Sequence, residues 1–215
     1  MSPWERLCRS EYGTLPDPDY SARTANQATA AVTSQYFSAQ GASQAQALFD
    51  YYYANEGLPY GLDYGILNDC LRDTTTEYDD AQPPNDLNVS NRITGLTKAA
   101  QEADRTGKRV KLVTMTPWMG TFGSQSQDCV FSLGRYQAAA TTAVIADPGL
   151  PGQHPVQLRQ ATHLQDIYDF AYGQKEYPAL NQAAVNNAYF GMALGIAKPF
   201  ATYGSTSDYA YEGVV

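Results

Sequence analysis

Gly134-Arg135-Tyr136-Gln137-Ala138-Ala139-Ala140-Thr141-Thr142-Ala143-Val144-Ile145-Ala146 is the stretch whose reading decides the fold class. Alanine is the strongest helix former, so the Ala-rich run predicts a helix. The β-branched Thr141, Thr142 and Val144 detract from that prediction, because they lose side-chain freedom in a helix. Asp147 to Pro155 follows as a Gly/Pro linker. Val156 to Tyr172 and Ala179 to Ala197 then read as two more helices, and the Tyr-rich tail from Lys198 reads as extended.

Upstream, Ser2 to Tyr20 is punctuated by Gly13, Pro16 and Pro18 and reads as an extended arm. Ser21 to Asn55 has helical spacing through Val32, Tyr36, Phe37, Ala45, Leu48, Phe49 and Tyr52. Gly41 splits it in two, and Ser43 caps the second part. Gly57 to Gly61 is a turn, and Tyr64 to about Thr74 a short helix. The acidic Tyr78 to Asn85 stretch, with Pro83-Pro84, is a linker. Asp86 caps a helix that runs to about Thr106 and stops at Gly107. Arg109 to Met115 is the one good strand candidate, and Thr116 to Asp128 a loop. The expected fold class is therefore mainly α: an irregular helical linker with two pseudo-repeated helical units, extended termini and long loops. Its parts are an N-terminal arm (1–20), a first helical unit (21–107), an extended segment and loop (108–133), a second helical unit (134–197) and a C-terminal tail (198–215).

An internal likeness supports the two units. Gln46-Ala47-Leu48-Phe49-Asp50-Tyr51-Tyr52-Tyr53 aligns with Gln165-Asp166-Ile167-Tyr168-Asp169-Phe170-Ala171-Tyr172 at an offset of 119 (165 minus 46). The same offset sets Pro59 on Pro178, Asn68 on Asn187 and Cys70 on Tyr189. The expected meaning is duplication, with an aromatic helix, a Pro turn and a second helix in each copy.

Composition limits the partners. Charged residues make up 17% of the 215, below the roughly 25% usual for a soluble domain. Tyrosine, at 17 residues, is abundant, and its apolar body and polar tip suit interfaces. The formal charge of −8 argues against nucleic acid, anionic membranes and acidic substrates. No run of eighteen apolar residues is present, so no direct membrane insertion is expected. Met1 to Ser10 lacks the apolar core of a secretory signal, so the chain is expected to act where it is made or to be in mature form.

Little conventional catalytic chemistry is written in the sequence. His154 and His163 have no Cys or carboxylate neighbours at zinc-ligand spacing. Gly-Xaa-Ser-Xaa-Gly and phosphate-loop patterns are absent. Glu77, Asp79 and Asp80 read as a solvated acidic linker. A Cys/His nucleophilic pair formed by distant residues is a minor option. The expectation is that the chain is not an enzyme. The cysteines, Cys8, Cys70 and Cys129, are an odd number at wide spacing; three reduced thiols in a non-oxidising compartment are the plain expectation.

One cysteine stands out. Cys70 and Asp73 share a helix face, with Arg72 to the side. Cys70-Leu71-Arg72-Asp73 resembles the chromophore-attachment motif of phycobiliproteins. In composition, duplication and scattered cysteines, the chain is similar to the bilin-carrying gamma subunits of red algal phycoerythrin. The resemblance implies a linear tetrapyrrole (phycoerythrobilin or phycourobilin) joined through a thioether to Cys70. Arg72 would bind a propionate, and Asp73 would accept hydrogen bonds from the pyrrole N–H groups. Cys129, flanked by Asp128 and Arg135, and Cys8, flanked by Arg9, are further implied attachment points. The implied function is a pigment-bearing linker of a light-harvesting phycobilisome. It would fill and join phycoerythrin alpha/beta hexamers, contact neighbouring linkers and pass excitation energy on the stromal face of a plastid thylakoid. The alternative from low charge, abundant Gln and Ser, and Tyr-rich ends is a structural subunit of a virus particle, a connector or decoration protein.

Overall fold

The computed structural model describes residues 20–54, 56–71, 87–122, 127–150, 152–173 and 182–215. The described helices are α1 (Tyr20–Ala39), α2 (Ser43–Ala54), α3 (Tyr64–Leu71), α4 (Leu87–Thr106), α5 (Gln127–Ser132) and α6 (Gln182–Ala193). The strands are β1 (Tyr60–Gly61), β2 (Val110–Met115), β3 (Met119–Phe122), β4 (Arg135–Ala146), β5 (Pro155–Tyr168) and β6 (Phe200–Val214). They form one six-stranded sheet in the order β1-β6-β5-β4-β2, with β3 paired to β4. The fold is thus α/β, and the mainly α expectation is corrected. The Ala-rich stretch is β4 and the expected helix from Val156 is β5.

The physical reason lies in pairing. β4 runs antiparallel to β5 from Gln137 opposite Gln165 to Ala146 opposite Val156, and antiparallel to β2 from Thr141 opposite Met115 to Ala146 opposite Val110. Ten residues of β4 therefore find a ladder partner on β5, a gain that local helix propensity cannot offset. Thr141, Thr142, Val144 and Ile145 suit a pleated surface, where β-branching packs well.

The chain forms two compact units, and both are discontinuous in sequence. Of the described residues, one unit holds those within 1–60, 131–134 and 167–201, and the other those within 61–130, 135–166 and 202–215. The first is an aromatic helical unit. Phe37, Phe49, Tyr52, Phe131 and Phe170 are almost fully buried. Phe49 meets Phe37 edge-on at 5.5 Å between ring centres and Phe170 at 6.0 Å. Such tilted contacts suit the ring quadrupoles. Asn26 on α1 and Asn187 on α6 exchange hydrogen bonds: Asn26 Nδ2 donates to the Asn187 carbonyl at 2.6 Å, and Asn187 Nδ2 donates to the Asn26 carbonyl at 3.1 Å. Burial raises the Tyr53 hydroxyl pKa, and Tyr53 Oη donates to Asn26 Oδ1 at 3.2 Å.

The second unit carries the body of the sheet and α4. Its core joins Ala99 and Ala103 of α4 to Val144, Ala146, Val156 and Leu158 of the sheet, with Leu96, Val110 and Leu112 packed beside them. Small residues let the helix approach closely. A Cβ added at Gly95 would stand 3.2 Å from Thr114 Oγ1 and from Val144 Cγ2. A polar seam runs across the same contact. Asn91 Nδ2 donates to the Ala140 carbonyl at 2.9 Å and to Thr142 Oγ1 at 2.8 Å. Gln160 Nε2 donates to the Asn88 carbonyl and Thr142 Oγ1, and Thr162 donates to Asn88 Oδ1. These bonds satisfy groups whose unpaired burial would be costly, and they fix the position of α4 along the strands.

Several sequence expectations agree with the structure. Gly41, at a φ of 71°, separates α1 from α2, and Ser43 begins α2. Gly107, at 60°, follows the last residue of α4. The strand at Val110–Met115 and the extended tail are present, although the tail is a paired strand. By contrast, the two matched octapeptides have different structures: 46–53 lies within α2, whereas Gln165–Tyr168 ends β5 and 169–172 contains no regular element. The likeness is therefore not a repeat of structure.

Candidate functional site

Cys70 closes a disulfide with Cys129, with 5.5 Å between their Cα atoms, and both are buried. Cys70 lies near the end of α3 and Cys129 within α5. The buried Tyr136 hydroxyl donates to the Cys70 carbonyl, adding a second tie at the same place. The two sulfurs are bonded to each other here, whereas the thioethers that the resemblance implies at Cys70 and Cys129 need free thiolates. The expectation of reduced thiols is corrected for the same pair. Of the other implied bilin residues, Asp128 is half-buried and Arg135 exposed, while Cys8, Arg72 and Asp73 lie outside the described residues. The acidic stretch at Glu77, Asp79 and Asp80 lies outside them too.

The two histidines have distinct surroundings. His154 is buried, with Nε2 3.3 Å from Asp104 Oδ1 and Nδ1 3.3 Å from the Asp147 carbonyl. Its backbone exchanges hydrogen bonds with Val215, so it pins the C-terminal residue to the sheet unit. This is a structural clamp. Among the described residues no group of His, Cys, Asp and Glu could hold a metal ion.

His163 is the chemically suggestive one. It sits on β5 in the register position opposite Ala139 of β4. Alternation sends Thr142, Val144, Leu158 and Gln160 toward α4, and sends Thr141, Ala143, Ile145, Arg159 and His163 to the other face. Burial follows this division: the first set is buried, the second half-buried or exposed. On that second face, His163 Nδ1 lies 2.8 Å from the hydroxyl of Ser205 on β6. His163 Nε2 lies 2.9 Å from the hydroxyl of Thr141 on β4. Three neighbouring strands thus deliver hydroxyl, imidazole and hydroxyl in one row. Ser205 is exposed. Burial lowers the His163 pKa, so the ring is neutral at pH 7. A neutral ring has one donor and one acceptor nitrogen. In the tautomer that carries the proton on Nε2, that N–H donates to Thr141 Oγ1 and Nδ1 accepts the Ser205 proton. Nucleophile, base and a group that orients the base are the parts of an activated serine.

A groove adjoins this row on the same unit. Its volume is about 570 Å³, and Lys111, Ala143, Ile145, Gln157, Arg159 and Glu212 line it. Arg159 lies four residues from His163 along β5, about 13 Å by strand rise.

The sequence marks His163 only as one of two histidines without ligand-spaced neighbours, because Thr141 and Ser205 lie 22 and 42 residues away. The usable signal was the odd-numbered alternation shared by Thr141 and His163, which requires both stretches to be read as strands.

No family model matches the chain, and no curated protein matches it. Among solved structures, PaeM, a colicin M-like bacteriocin produced by Pseudomonas aeruginosa, is similar, with a TM-score of 0.47 and 13% identity. The match covers 80% of this chain and 51% of that one, so the chain spans about half the length of that structure.

Proposed function

We propose that the chain is a serine-dependent hydrolase of an oxidising compartment. The observation that carries the catalytic reading is the hydrogen bond of 2.8 Å between Ser205 Oγ and His163 Nδ1, with the far ring nitrogen held by Thr141. In the first step the Ser205 hydroxyl oxygen bonds to an electrophilic carbonyl or phosphoryl centre, and His163 Nδ1 takes the hydroxyl proton. His163 then returns that proton to the departing group as the old bond breaks. Water repeats the sequence in reverse roles and frees Ser205. Thr141 is a positioning residue: its hydroxyl fixes the ring's orientation and accepts Nε2–H in the tautomer that leaves Nδ1 basic. The buried Cys70–Cys129 bond supports the choice of compartment, since disulfides persist where thiols are not kept reduced. Neither the antenna-linker nor the virion reading makes use of the serine–histidine pair.

The test is labelling with a fluorophosphonate, which reacts with activated serines. Mass spectrometry should place the adduct on Ser205. Ser205→Ala should abolish it, and His163→Gln should slow it by the roughly 10²–10⁴-fold typical of losing a general base. A folded, oxidised chain that takes up no label at Ser205 refutes the proposal.

A further inference from the structure

We infer that the groove beside the serine–histidine row is an oxyanion site, where Lys111 and Arg159 hold a carboxylate or phosphate group of a ligand lying along the sheet. The two cations reach the groove from different strands. Lys111 of β2 stands opposite Ile145, and Arg159 of β5 stands opposite Ala143. One strand lies between them and they are offset by two residues, so their Cα atoms are about 12 Å apart by sheet geometry. Both side chains are long enough to meet over that gap. Ala143, between them, is too small to fill it.

Their lack of partners is the second observation. Arg105 pairs with Glu102, Arg109 lies 3.6 Å from Asp147, and Arg92 donates to Gln160 and covers the Tyr209 ring. Lys111 and Arg159 have no ion pair among the described residues, although the chain carries eight more acidic than basic groups (22 minus 14). Glu212 lines the same groove, and its carboxylate accepts a hydrogen bond from Gln157 Nε2 at 3.3 Å. Glu212 on β6 is thus bonded to an amide, while Arg159 on the neighbouring β5 and Lys111 on β2 present cations with no ion pair among the described residues. An arginine fork matches the planar oxygens of a carboxylate or two oxygens of a phosphate, and a lysine adds a point charge. The half-buried Ala143 and Ile145 form a low apolar floor that leaves room for the anion between the two cations.

The site stands independently of the catalytic reading, because an inert serine–histidine row would leave the groove unchanged. It is tested by binding alone. The full oxidised chain is titrated at low ionic strength with inorganic phosphate in one arm and acetate in the other, and followed by amide chemical shifts. Saturable shifts are expected at Lys111, Ala143 and Arg159, and the tighter arm identifies the group. Arg159→Gln and Lys111→Ala should each weaken that arm about tenfold. Lys98→Ala, an exposed position on α4, should leave affinity unchanged. Three results would overturn the assignment. One is no saturable shift in either arm at about ten times a millimolar dissociation constant. Another is unaltered affinity in Arg159→Gln. The third is equal weakening by Lys98→Ala, which marks diffuse charge attraction.

Discussion

Replacing both Cys70 and Cys129 with alanine removes the strongest constraint on the sheet unit. The two residues are 59 apart in sequence. Cross-linking a loop of that size lowers the entropy of the unfolded chain by about 14 cal/mol/K, or about 4 kcal/mol at 25 °C in the chain-entropy treatment. The double substitution also removes two buried sulfurs, each traded for a smaller methyl group, so the loss should be no smaller than the entropic value. A factor of about 10³ in the folded-to-unfolded ratio of that unit follows. Urea unfolding, monitored by amide signals from the β4–β5 ladder, measures it. The midpoint should fall with little change in slope if the folded states match. A thiol count on the denatured, non-reduced wild type supplies an independent reading. One free thiol is expected, from Cys8, out of three cysteines. Three free thiols, or an unchanged midpoint after reduction and substitution, would refute the reasoning. Three thioether-blocked cysteines would instead restore the pigment reading.

Two further outcomes follow from the sheet unit. His163 is pushed below the ordinary imidazole value of 6.5 by burial. The unfolded chain therefore binds the proton first, and the contribution to stability is complete above pH 6.5 and is lost as pH falls through the lower folded value. A ring-proton NMR titration of His163 should give a midpoint below 6.5, and a midpoint at or above that value contradicts the assignment. Asn91→Ala leaves the Ala140 carbonyl without its side-chain donor inside the α4–sheet contact, and should cost about 1–3 kcal/mol. A thermal melt with no shift would show that the seam does not anchor α4.

Helices α1, α2 and α4 were legible because their signals are local, whereas α5 (Gln127–Ser132) falls in a stretch expected to be extended segment and loop. Glycines at Gly41 and Gly107 end helices with the left-handed backbone they adopt cheaply, and Ser43 starts one. The sheet was not legible, and particular residues explain why. β5 has the alternation Val156, Leu158, Gln160, Thr162, Leu164 on its buried face. Gln160 and Thr162 break the apolar pattern, yet they are buried because Asn88 on α4 and Thr142 on β4 satisfy them. β4 hides its alternation differently: Ala138, Ala139 and Ala140 are all buried, so they carry no contrast between faces. The matched octapeptides make the same point, since 46–53 is helical in α2 whereas only 165–168 of its counterpart is extended, at the end of β5.

The candidate site divides along the same line. The sequence alone determined that His163 and Ser205 are present, that the chain is acidic and Tyr-rich, and that cysteines stand at 8, 70 and 129. It also determined where α1, α2 and α4 lie, since caps, glycines and helical spacing act within a few residues. Only the tertiary structure decided that Cys70 meets Cys129, that Thr141, His163 and Ser205 form one row, and that Lys111 and Arg159 share a groove. The physical reason is the antiparallel ladder. It places residues tens of positions apart within hydrogen-bond reach, and its hydrogen bonds overrule the helix preference of the alanine-rich strand at its centre.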